Sequence, residues 1–315
     1  MKKVIVVGGA GYVGTSLIPQ LLEKNYDVTV YDRLLWGGDV LIPFFLHKNF
    51  HFIKGNVRNK AALKAAVKGQ DVIILLAAIV GFPACDTNPR LARETNVGGA
   101  KNLASVVSKN QYVLYASSGS NYGRVLDQIC TEETPLNPIT LYSKTKTEAE
   151  VILMNETTCT AYRPGTAFGI SPRLRLDLLP HQLTLDAIQR KHIVLYEGNV
   201  IRPFIHVYDF GRAFVFAIEH QKQMAGEVYN LGADDLNYTK RQMSEFIAKE
   251  TGATIENSDK WADPDKRHYE VSYAKLKKLG YKHTLSIQDG IREIIKVLPA
   301  LSFEQKYSNA LEVIS

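Results

Sequence analysis

The chain has 315 residues, 45% of them hydrophobic and 22% charged, with a formal net charge of +6. That length exceeds what one hydrophobic core usually fills, so one large two-lobed unit or two domains is expected. No low-complexity block signals disorder, no apolar run reaches the roughly 18 residues of a membrane helix, and the dispersed cations form no basic stripe, so neither membrane nor nucleic acid is an expected partner.

The first apolar run, residues 4–7, follows Met1-Lys2-Lys3. It is too short for a signal peptide and stops in a glycine cluster, so it reads as a first strand and the protein is expected in the cytoplasm. Cys85, Cys130 and Cys159 form no CxxC pair and are odd in number. They predict neither a disulfide framework nor a structural zinc site, and no metal ligands are assigned.

The strand leads into Gly8-Gly9-Ala10-Gly11-Tyr12-Val13-Gly14, and residues 11–24 carry helical apolar spacing. Gly8, Gly11 and Gly14 make a GxxGxxG variant of the dinucleotide fingerprint. Glycines there let the backbone approach a pyrophosphate, and the helix N-terminus attracts it. A second strand at 27–31 ends in Asp32, whose carboxylate suits ribose hydroxyls and repels a 2′-phosphate. NAD is therefore expected as cofactor, although Arg33 beside it works the other way.

Further strands are expected at 50–54, 72–76 and 112–115, with helices at 60–67 and 90–107 between them. Such alternation predicts a parallel sheet with helices on both faces. Asn56 and Val57 follow the third strand where an adenine edge would be read. Leu76, Ala77 and Ala78 follow the fourth, with small side chains along the cofactor.

After the fifth strand comes Ser117-Ser118-Gly119-Ser120-Asn121-Tyr122-Gly123. A hydroxyl at the carboxyl end of a parallel strand faces the ligand crevice, and Ser118 is the candidate. Tyr142-Ser143-Lys144-Thr145-Lys146 is YxxxK. Four residues make about one helical turn, so Tyr142 shares a face with Lys146 rather than Lys144. An ammonium near a phenol lowers its pKa, and the phenolate can take a carbinol proton.

Beyond residue 165 the pattern loosens. Arg163-Pro164-Gly165, Pro172 and Pro180 read as punctuation. A strand at 204–207, a helix at 209–220, a strand at 228–230 and helices near 240–249 and 286–297 follow. Residues 1–165 are expected to form the cofactor domain, with about 200–232 returning to it. Residues 166–315 should form mainly a smaller substrate lobe.

These residues resemble the extended short-chain dehydrogenase/reductase family, in its nucleotide-sugar epimerase/dehydratase branch. The likeness rests on GGAGYVG, the LAA after strand four, Asn96-Val97, SSGSNYG, YSKTK, Arg163-Pro164-Gly165 and Arg202-Pro203-Phe204-Ile205-His206-Val207, and spans nearly the whole chain. It implies an α/β fold: a Rossmann-type doubly wound parallel sheet with a smaller C-terminal α/β substrate lobe. It also implies a Ser118–Tyr142–Lys146 triad, cofactor contacts at Tyr12, Val13, Asn96, Arg163 and Pro164, and substrate contacts at Ser118, Ser120 and Thr166. Arg202 looks like the arginine that grips the substrate diphosphate. Arg267 is a second candidate, equally readable as a surface ion pair.

The implied function is NAD-dependent chemistry at C4 of a nucleotide-diphospho-sugar, by a 4-epimerase or 4-dehydrogenase. The alternatives are a 4-ketosugar reductase or a dehydrogenase of a non-nucleotide alcohol. A non-catalytic NAD-sensing protein on the same fold is a further reading, disfavoured because both Tyr142 and Lys146 are present. Residues 171–179 look most like a bacterial subgroup that includes a GDP-heptose 4-dehydrogenase. Pro180-His181 depart from the asparagine usual after that segment. Dehydratases of the branch carry Asp-Glu after the serine, where this chain has Gly119-Ser120. The resemblance also implies a homodimer built on the helices near 90–107 and 142–154.

Overall fold

The computed structural model of the chain describes residues 1–125, 128–258, 269–301 and Asn309. One wholly parallel sheet holds β1 (Lys3–Val7), β2 (Asp27–Asp32), β3 (Phe50–Lys54), β4 (Val72–Leu75), β5 (Tyr112–Ala116), β6 (Cys159–Pro164) and β10 (Val228–Leu231). Their spatial order is β10-β6-β5-β4-β1-β2-β3. The chain steps outward from β1 to β3, then restarts on the other side of β1 with β4. At that reversal the loops after β1 and β4 part. They leave the crevice in which doubly wound, Rossmann-type sheets take their ligands.

Alternation along β1 shows why both faces are covered. Val4 and Val6 pack with Leu17, Ile18, Phe210 and Phe214, on the helices Tyr12–Glu23 and Val207–Glu219. Ile5 and Val7 point the other way, toward Leu63, Leu103 and Leu153 on the helices Lys60–Val67, Pro89–Ala104 and Leu141–Glu156. Period-2 side chains that are apolar on both sides suit a strand buried between two helical layers.

The remaining strands build a second lobe. β7 (Thr166–Phe168), β9 (Ile201–His206) and β11 (Asn237–Thr239) form one small sheet, and β8 (His192–Leu195) pairs with β12 (Thr254–Asn257). Helices Leu179–Arg190, Lys240–Thr251 and Ile287–Val297 close over them around Phe168, Phe204, Met243, Ile247 and Ile291. Thr239 and Ser286 open two of these helices with reciprocal capping boxes. No helix among the described residues is long and apolar enough to cross a membrane.

Two local readings of the sequence give way here. Arg163 does not interrupt the chain but lies inside β6, because Glu150 neutralises it there. Pro180 does not break structure either. It stands in the first turn of Leu179–Arg190, where a missing N–H costs nothing. Around 200–232 the path is divided: β9 joins the small sheet, whereas the next helix and β10 lie on the large one.

Candidate active site

The loop from Gly8 to Gly14 leaves β1 and becomes the helix Tyr12–Glu23 without any side-chain cap at Gly11, so the first turn keeps its N–H groups open. Gly8 has φ +90°, and a Cβ there would lie 2.4 Å from the Ala77 nitrogen. A Cβ at Gly14 would lie 2.4 Å from the Gly9 oxygen. Backbone packing at both positions thus excludes any side chain and holds the loop tightly turned at a helix N-terminus suited to an anion. These residues fit a dinucleotide pyrophosphate.

One cavity beside this loop is lined by Asp32, Arg33, Asn56, Val57 and Ala77. Asp32 accepts the Ala10 N–H at 3.0 Å and the Leu34 N–H at 2.7 Å, which ties β2 to the glycine loop. Burial raises its pKa, against the pull of these hydrogen bonds and of Arg33. A larger cavity continues from Gly8, Gly11 and Ala78, both openings meeting at Trp36. It takes in Tyr12, Val13, Gly14, Leu76 and Pro164, and then the three candidate catalytic side chains.

Ser118, Tyr142 and Lys146 all line that larger cavity, with Ser120 and Thr166 beside them. Ser117 and Ser118 both end near it, but only one hydroxyl is turned to it without a charged partner. Ser117 Oγ donates to the buried Glu150 carboxylate, whereas Ser118 Oγ is 2.7 Å from Ser120 Oγ. Thr140 caps the helix Leu141–Glu156 in a capping box with Ser143. One turn along, Lys146 is 3% exposed and Lys144 is on the outside. The Lys146 Nζ sits 4.2 Å from the centroid of the Tyr115 ring, a cation–π contact.

Burial pulls the Lys146 pKa from 10.5 to about 7, with Glu150 acting in the opposite direction. The unfolded chain holds the proton more tightly, so the contribution of Lys146 to stability rises with pH between those two values. The penalty is full below pH 7 and fades toward pH 10.5. Lys146→Met is therefore expected to raise the melting temperature of cofactor-free protein by several degrees at pH 6 and hardly at pH 10, while abolishing turnover. Thermal unfolding at both pH values checks this, and an equal gain at both would contradict it.

Two expected cofactor contacts lie behind the cavity wall. Asn96 is buried, donating to the Ile79 carbonyl and Thr145 Oγ1 at 3.0 Å each and accepting the Ile79 N–H at 2.8 Å. It fastens the loop after β4 to the helix Leu141–Glu156. The Arg163 guanidinium is spent on Glu150, at 2.6–3.2 Å, and on Tyr122 Oη and the Glu132 carbonyl. Arg202 is buried on β9 opposite Tyr238 and lines neither of these two cavities. Arg267 falls outside the described residues.

His181, at the departure from the usual asparagine, is fully buried and does not line the larger cavity. It accepts the Gly169 N–H at Nε2 and holds the Arg175 carbonyl with Nδ1. Burial pushes its pKa down to about 4, so it works as a neutral clamp. Trp36, Arg173 and Arg175 are among the cavity residues that the sequence reading missed. Trp36 carries no motif. The two arginines lie in a segment singled out only for its likeness to a subgroup.

Residues 4–232 match the profile of the NAD dependent epimerase/dehydratase family. Low-salt glycan biosynthesis protein Agl12 of Haloferax volcanii is 28% identical over 93% of this chain and 97% of its own. UDP-glucose 4-epimerase 3 of Oryza sativa is 28% identical over 73% of this chain and 71% of its own. Among solved structures, dTDP-glucose 4,6-dehydratase of Bacillus anthracis in complex with NAD superposes with a TM-score of 0.83. It is 25% identical, over 95% of this chain and 97% of that one.

Proposed function

Because the chain belongs to the NAD-dependent epimerase/dehydratase family, we propose that it oxidises the C4 carbinol of a nucleotide-diphospho-sugar, as a 4-epimerase or 4-dehydrogenase. The observation that carries this reading is the meeting of Ser118, Tyr142 and Lys146 in one cavity with the glycine loop. Bound along that loop and Asp32, NAD supplies a two-electron acceptor. Ser118 Oγ hydrogen-bonds the C4 oxygen and holds it toward the Tyr142 phenol. Tyr142, as phenolate, takes the C4 hydroxyl proton as the carbonyl forms, and returns it when the ketone is reduced. The ammonium of Lys146 favours the phenolate. Thr166 lines the same cavity and is assigned to the sugar.

The relatives include both 4-epimerases and a 4,6-dehydratase, and one position favours the former. Dehydration needs carboxyl groups to move protons at neighbouring carbons. At residue 119 a Cβ would lie 2.8 Å from the Pro164 oxygen, so no acid fits without moving the backbone. Ser120 is engaged with Ser118.

The test is to release cofactor from purified protein with acid, identify it by mass, and incubate the protein with UDP-, GDP- and dTDP-sugars. Stoichiometric NAD with redistribution of C4 epimers and no added cofactor identifies an epimerase. Accumulation of NADH with added NAD identifies a dehydrogenase. A cofactor-loaded protein that changes none of these sugars contradicts the reading.

A further inference from the structure

A buried cation without a buried anion reaches the cleft from the second lobe. Arg173 is 3% exposed and lines the larger cavity. Its guanidinium carbon lies 4.8 Å from the centroid of the Trp36 ring. Nη1 donates to the Leu174 carbonyl, Nη2 donates to Asn309 Oδ1 at 2.7 Å, and Nε is buried with no partner. Among the described residues no carboxylate lies within ion-pair distance of it. The neighbouring Arg175, by contrast, is matched by Asp177 at 2.6 Å. Burial, and then Arg175, lower the Arg173 pKa to about 10. A guanidinium placed in this way gains from an anion, because removing charge from water unpaired is costly.

Its place in the cleft selects the anion. The Ser171–Arg173 stretch is fastened to the helix that follows the glycine loop. Ser171 Oγ donates to the Tyr12 carbonyl and lies 2.7 Å from Thr15 Oγ1, and the Arg173 N–H donates to the same hydroxyl at 3.2 Å. Trp36, on which Arg173 lies, borders both the cavity beside Asp32 and the cavity beside Tyr142. A dinucleotide laid through both would pass its pyrophosphate between them, under Trp36, against the glycine loop.

We propose that Arg173, stacked on Trp36, closes over the cofactor pyrophosphate from the second lobe and holds the dinucleotide in place. The glycine loop receives one side of the diphosphate and Arg173 covers the other. Release then requires the Ser171–Arg173 stretch to come away from the Tyr12–Glu23 helix. The proposal rests on the cleft taking NAD, and it adds the residue that makes the cofactor slow to leave.

The experiment is calorimetric titration of cofactor-stripped protein with NAD, ADP-ribose and UDP, with stopped-flow release of NAD. Arg173→Leu should weaken NAD and ADP-ribose alike by about 10- to 100-fold, the loss of one charge-assisted contact. The change should lie mainly in the release rate, with UDP affinity within about twofold of the parent. Arg173→Lys, which keeps the charge without the planar fork, should fall between and serves if the leucine variant fails to fold. Unchanged NAD affinity and release in both variants would overturn the proposal. So would a loss confined to UDP, which would assign Arg173 to the sugar nucleotide instead. Parent protein that binds neither NAD nor ADP-ribose would instead overturn the reading of the cleft itself.

Discussion

Tyr142→Phe is expected to lower turnover by about 10³-fold while leaving NAD occupancy and melting temperature near those of the parent. The ring packs beside Ile79, Cys85 and Leu91, and phenylalanine keeps those contacts. Only the hydroxyl proposed to exchange the substrate proton is removed. Rate measurements on the turned-over sugar nucleotide, with acid-released cofactor measured on the same preparation, separate the two effects. Turnover within tenfold of the parent would remove Tyr142 from the chemistry. A preparation that had lost its NAD would make Tyr142 a binding residue instead.

The largest expected loss of stability lies underneath, at Arg163. Its guanidinium and the Glu150 carboxylate are both almost fully buried, 2.6 Å apart, and Glu150 also receives Ser117. Arg163→Leu strands that carboxylate in the interior and should cost about 3–5 kcal/mol in urea unfolding. Arg163→Leu combined with Glu150→Leu should recover much of it, because neither member of the pair is then left as a lone buried charge. A strictly additive double variant, or a single variant costing under about 1 kcal/mol, would show that the pair is solvated in practice. The same carboxylate is the largest charged influence on Lys146, so the pair joins the stability of the sheet to the charge of the Leu141–Glu156 helix.

How far the sequence reached depended on whether a residue's partners are near in the chain. The glycine loop, the apolar strands up to β5, and the Tyr142 to Lys146 spacing are local patterns, and each fell within a few residues of its place. Strand β6 was missed because Cys159–Pro164 holds an arginine and a proline. Glu150, which makes the arginine tolerable, comes from another element. Asn96 and Arg163 carried family motifs, yet their side chains are consumed by neighbours that spacing cannot reveal. Trp36 and Arg173 are more than a hundred residues apart and meet only when the second lobe lies against the first.

The edge position of β10 has a consequence for how the molecule is made. On the ribosome, everything through β6 is available long before Val228–Leu231 and the helix Val207–Glu219 have emerged. At roughly 5–20 residues per second, the gap lasts for seconds. During it β6 offers an open hydrogen-bonding edge, and the face of Val4 and Val6 has only part of its cover. A nascent chain in that condition is a substrate for chaperones and for wrong strand pairing. The burden on the cell's folding machinery should therefore follow the length of the segment between β6 and β10 rather than the length of the whole protein.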